Sequence, residues 1–247
     1  MKNKILFFDI ETSPILGYVW QLRETDVLKI VKSWKLLCFS YKWIDSKVKT
    51  VSLPQFKNYK KDKEDDSAIV KELWNLFNEA DIIIAHNGDK FDIKKSYAKF
   101  SEHNLPPPEP FRTVDTLKVA RRYFKFDSNR LDALGDYLEL GRKIQTGGIE
   151  LWLEVIAGDK QAWRKMERYN RQDVALLEKV YLKLRPFMNN HPNLSIFNGY
   201  SCPICGGKDL QRRGFSISTT GKRQRMQCTD CGGWSLLTNL KDKTTIK

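Results

Sequence analysis

The sequence predicts an α/β fold in which helices flank a mixed sheet, followed by a small C-terminal module that carries four cysteines. Short apolar runs alternate with stretches of helical periodicity up to residue 188, and two Cys-x-x-Cys pairs follow residue 200. Between them, residues 189–200 are polar and lose the apolar periodicity. We therefore predict a main domain over 1–188, a linker over 189–200 and a cysteine module over 201–247.

The first half of the main domain is predicted to begin with strands. Four apolar segments between polar breaks predict strands at 5–10, around 17–22, at 36–43 and at 48–53. Residues 59–67 are rich in Lys, Asp and Glu, which predicts a solvated loop. Helical spacing of apolar residues then predicts a helix over 67–78, and the next apolar run predicts a strand over 81–86.

The second half is predicted to be mainly helical. The helices expected from apolar periodicity cover 92–102, 116–122, 130–140 and 160–184. A short strand over 113–116 should lead into the second of them. Gly141 is expected to cap the helix that ends at residue 140, and residues 143–149 should form a loop.

Length and composition restrict the class of protein. The chain has 247 residues, 41% of them hydrophobic, and contains no apolar stretch of the roughly 20 residues that cross a bilayer. It shows no signal peptide, so we expect a soluble, cytoplasmic protein without a membrane partner. The net charge of +13 favours a nucleic-acid partner. Cys38 lies in an apolar run and is expected to be a buried thiol without chemistry.

Four carboxylates and a tyrosine occur at positions that suit metal binding. Asp9 and Glu11 end the first apolar run, and residues i and i+2 of a strand project from the same face. Two carboxylates this close repel each other, and a divalent cation removes that penalty. Asp92 follows the run at 82–85 after a short turn. Tyr169 and Asp173 are four residues apart on the long helix and therefore share a face.

These segments resemble the three exonuclease motifs of the DnaQ-like, or DEDD, family of 3′→5′ exonucleases, which have an RNase H-like fold. The matching segments are Asp9-Ile10-Glu11-Thr12, His86-Asn87-Gly88 with Phe91-Asp92, and Tyr169-x-x-x-Asp173. The tyrosine is similar to that of the DEDDy branch, which is related to proofreading domains of family B DNA polymerases. The DEDDh branch requires a histidine where this chain has Arg168. The resemblance covers about residues 4–187.

The resemblance implies two Mg²⁺ or Mn²⁺ ions about 4 Å apart. Asp9 would bridge the ions, and Asp92 would bind one of them. Glu11 and Asp173 would hold the ion on the side of the nucleophile. Tyr169 would orient the attacking water, since its ordinary pKa of about 10 makes it a poor base.

The same resemblance implies substrate contacts next to the acids. Asn87 would lie near the terminal nucleotide, and the backbone N–H of Thr12 would contact the 3′ end. His86 is expected to support its turn rather than to bind metal.

The cysteine module resembles a zinc ribbon. Its two pairs are Cys202 with Cys205 and Cys228 with Cys231, each followed by two glycines. Four cysteines at this spacing indicate one structural Zn²⁺, with a redox pair or disulfides as the alternatives. Zinc should supply much of the folding energy of so small a module.

Basic residues lie between the two pairs of cysteines, against a single acid. Those expected to bind substrate are Arg212, Arg213, Lys222, Arg223 and Arg225. Phe215 and Trp234 could offer stacking faces for bases. The alternative is that these cations are simply solvated and that the module binds a protein, such as a replication or repair partner.

Together these features predict a metal-dependent 3′→5′ exonuclease acting on single-stranded 3′ ends, with DNA favoured. Two alternatives stay open. The first is a nucleic-acid-binding or regulatory protein with an inactive nuclease fold. The second is an exonuclease that trims RNA 3′ ends, for which the ribose 2′-OH would matter.

Overall fold

A computed structural model describes residues 3–23, 26–142, 147–196, 199–219 and 221–237. Most of the loop predicted for 143–149 and the end of the cysteine module therefore lie outside the described residues. The strands are β1 (Ile5–Thr12), β2 (Leu16–Tyr18), β3 (Lys29–Lys32), β4 (Leu36–Trp43), β5 (Lys49–Ser52), β6 (Ile82–Ala85), β7 (Arg112–Asp115), β8 (Leu210–Ser218), β9 (Gly221–Cys228) and β10 (Trp234–Leu236). The α-helices are α1 (Lys57–Lys61), α2 (Ser67–Glu79), α3 (Asp92–Glu102), α4 (Thr116–Tyr123), α5 (Leu131–Tyr137), α6 (Glu150–Ala157) and α7 (Lys160–Leu184).

The central sheet has five strands in the order β5-β4-β1-β6-β7. Strand β1 pairs antiparallel with β4 and parallel with β6, which confirms the predicted mixed sheet. The apolar residues of β1 from Ile5 to Phe8 are fully or almost fully buried because helices cover both faces. The pairing with β6 involves only residues 5–7 of β1, so the second half of β1 extends beyond the end of β6.

Each face of β1 packs against a different set of helices. Phe8 contacts Phe77 of α2 edge-on, with ring centroids 5.0 Å apart. Phe7, on the opposite face, contacts Tyr181 of α7 edge-on at 5.3 Å. Because side chains alternate along a strand, Asp9 and Glu11 project toward α7, like Phe7.

The elements that sequence periodicity did not predict are short. Helix α1, residues 57–61, overlaps the start of the loop predicted for 59–67. Its residue Tyr59 is buried, with its ring centroid 6.1 Å from that of Trp163. Helix α6 was not predicted either. A strand was predicted around 17–22, but β2 covers only 16–18. It pairs with β3 in a hairpin, and the apolar side chains of this hairpin are largely exposed.

The predicted cap at Gly141 is wrong. Helix α5 ends at Tyr137, and Glu139 adopts the left-handed conformation with φ 57°. The N–H of Leu140 donates to the carbonyl of Gly135 at 2.8 Å, and that of Glu139 to Asp136 at 3.0 Å. This is a Schellman cap, stabilised because Leu140 packs against the core.

The cysteine module lies against the main domain. Leu194 is buried in the core cluster around α7, and its N–H donates to the carbonyl of Pro203 at 2.8 Å. The predicted boundaries at 188/189 and 200/201 stay a prediction. No helix in the described part of the chain combines the length and apolarity needed to cross a membrane.

Candidate active site

The end of β1 fixes the positions of two predicted acids. Asp9 lies opposite Ser40 of β4, and Glu11 lies opposite Cys38. Both side chains are partly exposed, whereas Ile10 between them is buried in the core. The predicted alternation therefore holds, and both carboxylates lie on the α7 face beyond the end of β6.

Asp92 is held against the same stretch of backbone. It is the first residue of α3 and is only 3% exposed. Its Oδ1 accepts a hydrogen bond at 3.2 Å from the N–H of Ile10, the residue between Asp9 and Glu11. An acid 82 residues later in the chain is thus fixed beside the first motif.

The turn before α3 depends on its residue types. A Cβ at Gly88 would lie 2.3 Å from the Cβ of Ala85, so only glycine fits there. Asn87 has φ 65°, and its N–H donates to Oδ1 of Asp115 at 2.8 Å. His86 Nδ1 lies 2.9 Å from the hydroxyl of the first residue of α4. His86 supports the turn, as expected.

Helix α7 contributes the third group of side chains. Asp173 is 2% exposed, and Tyr169 forms a hydrogen bond with it. Asn170 is fully buried, and its Nδ2 donates to Oδ2 of Asp9 at 2.6 Å and to the Asp9 carbonyl at 3.2 Å. The ring of Tyr169 packs edge-on against Trp152 of α6, with centroids 6.4 Å apart.

The electrostatics show that these groups are close. The pKa of Tyr169 is raised well above its usual value by burial first, and then by the charges of Asp173, Glu11 and Asp9. Its hydroxyl therefore keeps its proton at neutral pH. Burial, followed by the charges of Glu11 and Asp9, also raises the pKa of the Cys38 thiol. Cys38 is fully buried, as predicted, and inert.

The acidic set fits a divalent cation by chemistry. Three elements bring four carboxylates to one end of the sheet: Asp9, Glu11, Asp92 and Asp173. Anionic oxygen donors suit Mg²⁺ and Mn²⁺. Among the described residues, no three acids of this set have ligand oxygens that all lie within 4.8 Å of one another.

A second acidic group is tighter, but a lysine of the protein already pairs with both of its carboxylates. Ligand atoms of Asp66, Glu102 and His103 all lie within 4.8 Å of one another. The ammonium of Lys99 lies 3.0 Å from Asp66 and 2.9 Å from Glu102. Asp66 also accepts the N–H of Leu36 at 2.8 Å. Because a lysine already supplies the positive charge, we interpret this group as a structural ion cluster.

The four predicted cysteines converge. Their sulfurs all lie within 4.8 Å of one another, with 3.7 Å between Cys202 and Cys231 and 3.6 Å between Cys205 and Cys228. Tetrahedral Zn–S bonds of about 2.3 Å place neighbouring sulfurs about 3.8 Å apart. Gly206 and the glycine after Cys231 have φ values of 75° and 76°, which explains a glycine after each second cysteine. The geometry fits one Zn²⁺.

The basic residues of the module lie on two faces of the β8–β9 hairpin. On one face, Cζ of Arg225 lies 5.9 Å from the ring centroid of Trp234. On the other face, Nζ of Lys222 lies 4.9 Å from the ring centroid of Phe215. The exposed cations are Arg212, Arg213, Lys222, Arg223 and Arg225. Each face therefore combines positive charge with an aromatic ring.

A family model described as the RNase_H superfamily matches residues 6–185. The chain belongs to the RNase H superfamily. Among curated proteins none matches it. Its fold is similar to that of the family B DNA polymerase from the hyperthermophilic archaeon Pyrobaculum calidifontis, with a TM-score of 0.57 and 15% identity over 89% of this chain. The chain spans 31% of that polymerase.

Membership of the RNase H superfamily confirms the predicted RNase H-like fold. It supports a nuclease-type function, which implies a nucleic-acid substrate and the use of divalent metals.

Sequence reasoning gave no role to Asn170 or Lys95 and took Trp152 first for a core residue. Asn170 holds Asp9, Trp152 packs on Tyr169, and Lys95 donates to the hydroxyl of Thr12 at 3.2 Å. Only Asn170 had a local signal, because apart from Asp173 it is the polar residue on the buried, otherwise apolar face of α7.

Proposed function

We propose that this chain is a metal-dependent 3′→5′ exonuclease of the DnaQ-like DEDDy type that acts on single-stranded 3′ ends. One observation carries the proposal: β1, α3 and α7 bring four carboxylates and Tyr169 to one end of the sheet. The likeness of the fold to that of a DNA polymerase favours DNA as the substrate.

The site residues then have distinct tasks. Asp9, Glu11, Asp92 and Asp173 would hold Mg²⁺ or Mn²⁺. Such ions, when bound, lower the pKa of a coordinated water and offset the negative charge that develops on the phosphodiester. Asn170 and the N–H of Ile10 fix two of the carboxylates, so that they require little reorganisation.

Tyr169 acts as a hydrogen-bond donor. The ordinary tyrosine pKa of about 10 makes it a poor general base at neutral pH. The hydroxyl is placed beside Asp173, where it orients the attacking water. Thr12, directly after Glu11, and Asn87, in the turn before α3, would contact the terminal nucleotide.

The zinc ribbon retains the substrate strand. Its cation and aromatic pairs on both hairpin faces match the two needs of single-strand binding, which are phosphate contacts and stacking. Charge-reversal variants Arg223→Glu and Arg225→Glu should weaken binding more than the chemical step. Unchanged binding at all salt concentrations would instead support a protein-docking ribbon.

Matched DNA and RNA oligonucleotides, labelled at each end in turn, test the proposal. We expect a ladder that shortens from the 3′ end of DNA in Mn²⁺, none in EDTA, and none with Asp9→Ala. Stronger digestion of RNA would indicate RNA trimming. Binding without any cleavage would indicate a nucleic-acid-binding protein with an inactive fold and would refute the proposed activity.

A further inference from the structure

Lys95 places a positive charge beside the candidate active site. It lies on α3, one helical turn after Asp92. Its ammonium donates to Oγ1 of Thr12, the last residue of the first motif, at 3.2 Å. The nitrogen also lies 4.0 Å from the ring centroid of Trp34 and 5.2 Å from that of Phe91. A hydroxyl and two aromatic rings thus surround this ammonium.

Lys95 differs from the buried lysines in the described part of the chain because it has no acidic partner there. The buried lysines each lie within 3.1 Å of a carboxylate: Lys35 with Glu64, Lys42 with Glu178 and Lys99 with Asp66. No carboxylate within the described ranges pairs with Lys95, although it is half-buried. Burial first, and then the charge of Lys99, lowers its pKa. A desolvated cation of this kind is costly unless an anion completes it.

None of the described residues supplies that anion, and Lys95 lies next to the expected position of the 3′ end. We infer that Lys95 binds a non-bridging oxygen of one of the last three phosphodiesters of the substrate strand. This inference rests on the proposed function and assigns a phosphate contact within that site. The rings of Trp34 and Phe91 cover part of the ammonium and so desolvate it in part, which strengthens its pairing with phosphate.

A double-mutant cycle, which pairs substitutions of Lys95 with changes to single phosphodiester linkages of the strand, tests this contact. Binding of a single-stranded oligodeoxynucleotide to the full chain is measured with Ca²⁺ replacing Mg²⁺, so that the strand is held with little turnover. Each of the last three linkages is replaced in turn by an uncharged methylphosphonate. We expect Lys95→Gln to weaken binding of the natural strand about tenfold, as for loss of one charge-assisted bond.

The decisive result is the coupling between the two changes. At one linkage the methylphosphonate should weaken binding to the wild type about tenfold but leave binding to Lys95→Gln unchanged. Lys95→Arg should retain the coupling because it keeps the charge. Lys94→Gln removes the same charge from an exposed neighbour on α3 and should show no coupling at any linkage.

Additive effects at all three linkages would overturn the inference, since a residue that only supports Thr12 would weaken every strand equally. Lys95→Met, which keeps the aliphatic stem, replaces Lys95→Gln if that variant unfolds. A wild type that digests 3′ ends but shows no coupling disproves the role of Lys95 alone. A wild type that neither binds nor cleaves the strand disproves the proposed function as well.

Discussion

Two substitutions at Asp92 separate the structural and the metal-binding tasks of its carboxylate. Asp92→Asn keeps an oxygen that can accept the N–H of Ile10 but removes the negative charge. Asp92→Ala removes both. We expect both variants to lose cleavage by at least about 100-fold, because each lacks an anionic metal ligand.

The stabilities of the two variants should differ. Ile10 is 4% exposed, so Asp92→Ala leaves a buried N–H without its acceptor, which costs about 1–3 kcal/mol. For a domain of this size each kcal/mol lowers the unfolding temperature by about 2–4 °C. Asp92→Asn avoids this cost and reduces the repulsion with Asp9 and Glu11. In EDTA it should be at least as stable as the wild type.

Thermal unfolding in EDTA and in Mn²⁺, together with cleavage of an end-labelled oligonucleotide, measures both effects. Mn²⁺ should raise the unfolding temperature of the wild type and raise that of neither variant to the same extent. Equal stability of the Ala and Asn variants in EDTA would refute the hydrogen-bond argument. Wild-type activity in Asp92→Asn would refute the metal-binding role.

Four further outcomes are expected. Tyr169→Phe should slow cleavage about 100-fold yet keep the Mn²⁺-dependent stabilisation, because the hydroxyl orients water rather than binding metal; an unchanged rate would remove its role. Asn170→Ala should reduce the rate at least about tenfold by releasing Asp9, with lower apparent Mn²⁺ affinity in a titration; unaltered affinity would contradict this. Burial lowers the pKa of His191 to about 4, below its usual value of about 6.5. The folded state should therefore lose stability as the pH falls from about 6.5 to about 4. In His191→Gln the free energy of unfolding, measured from unfolding curves, should depend less on pH over this range. Cys228→Ser should lower the zinc content from one ion per chain and unfold the ribbon, as measured by metal analysis and circular dichroism; full zinc retention would contradict the four-cysteine site.

The features predicted well from the sequence were those fixed by local periodicity. Asp9 and Glu11 share a face because the strand repeat is two residues, and Tyr169 meets Asp173 because the helix repeat is close to four. The strand at 36–43 and the helix at 160–184 were predicted with the bounds that the structure has. Both are long enough for the pattern to stand out.

The features that were missed depend on contacts between distant segments. Asn170 contacts Asp9 across 161 residues, and Lys95 reaches Thr12 across 83. Helix α1 is only five residues long, and packing of Tyr59 on Trp163 accompanies it. The helix cap was predicted at Gly141 because glycine adopts the left-handed conformation easily, but Glu139 adopts it instead. The packing of Leu140 against the core offsets the steric cost of a side chain in that conformation.

Anomalous scattering from a crystal of the protein soaked in Mn²⁺ would show directly whether the four acids bind metal. We predict manganese bonded to carboxylate oxygens of Asp9, Glu11, Asp92 and Asp173, with Tyr169 beside the ions. Manganese bound only elsewhere, for example at Asp66, Glu102 and His103, with the four acids directed apart into solvent, would contradict it.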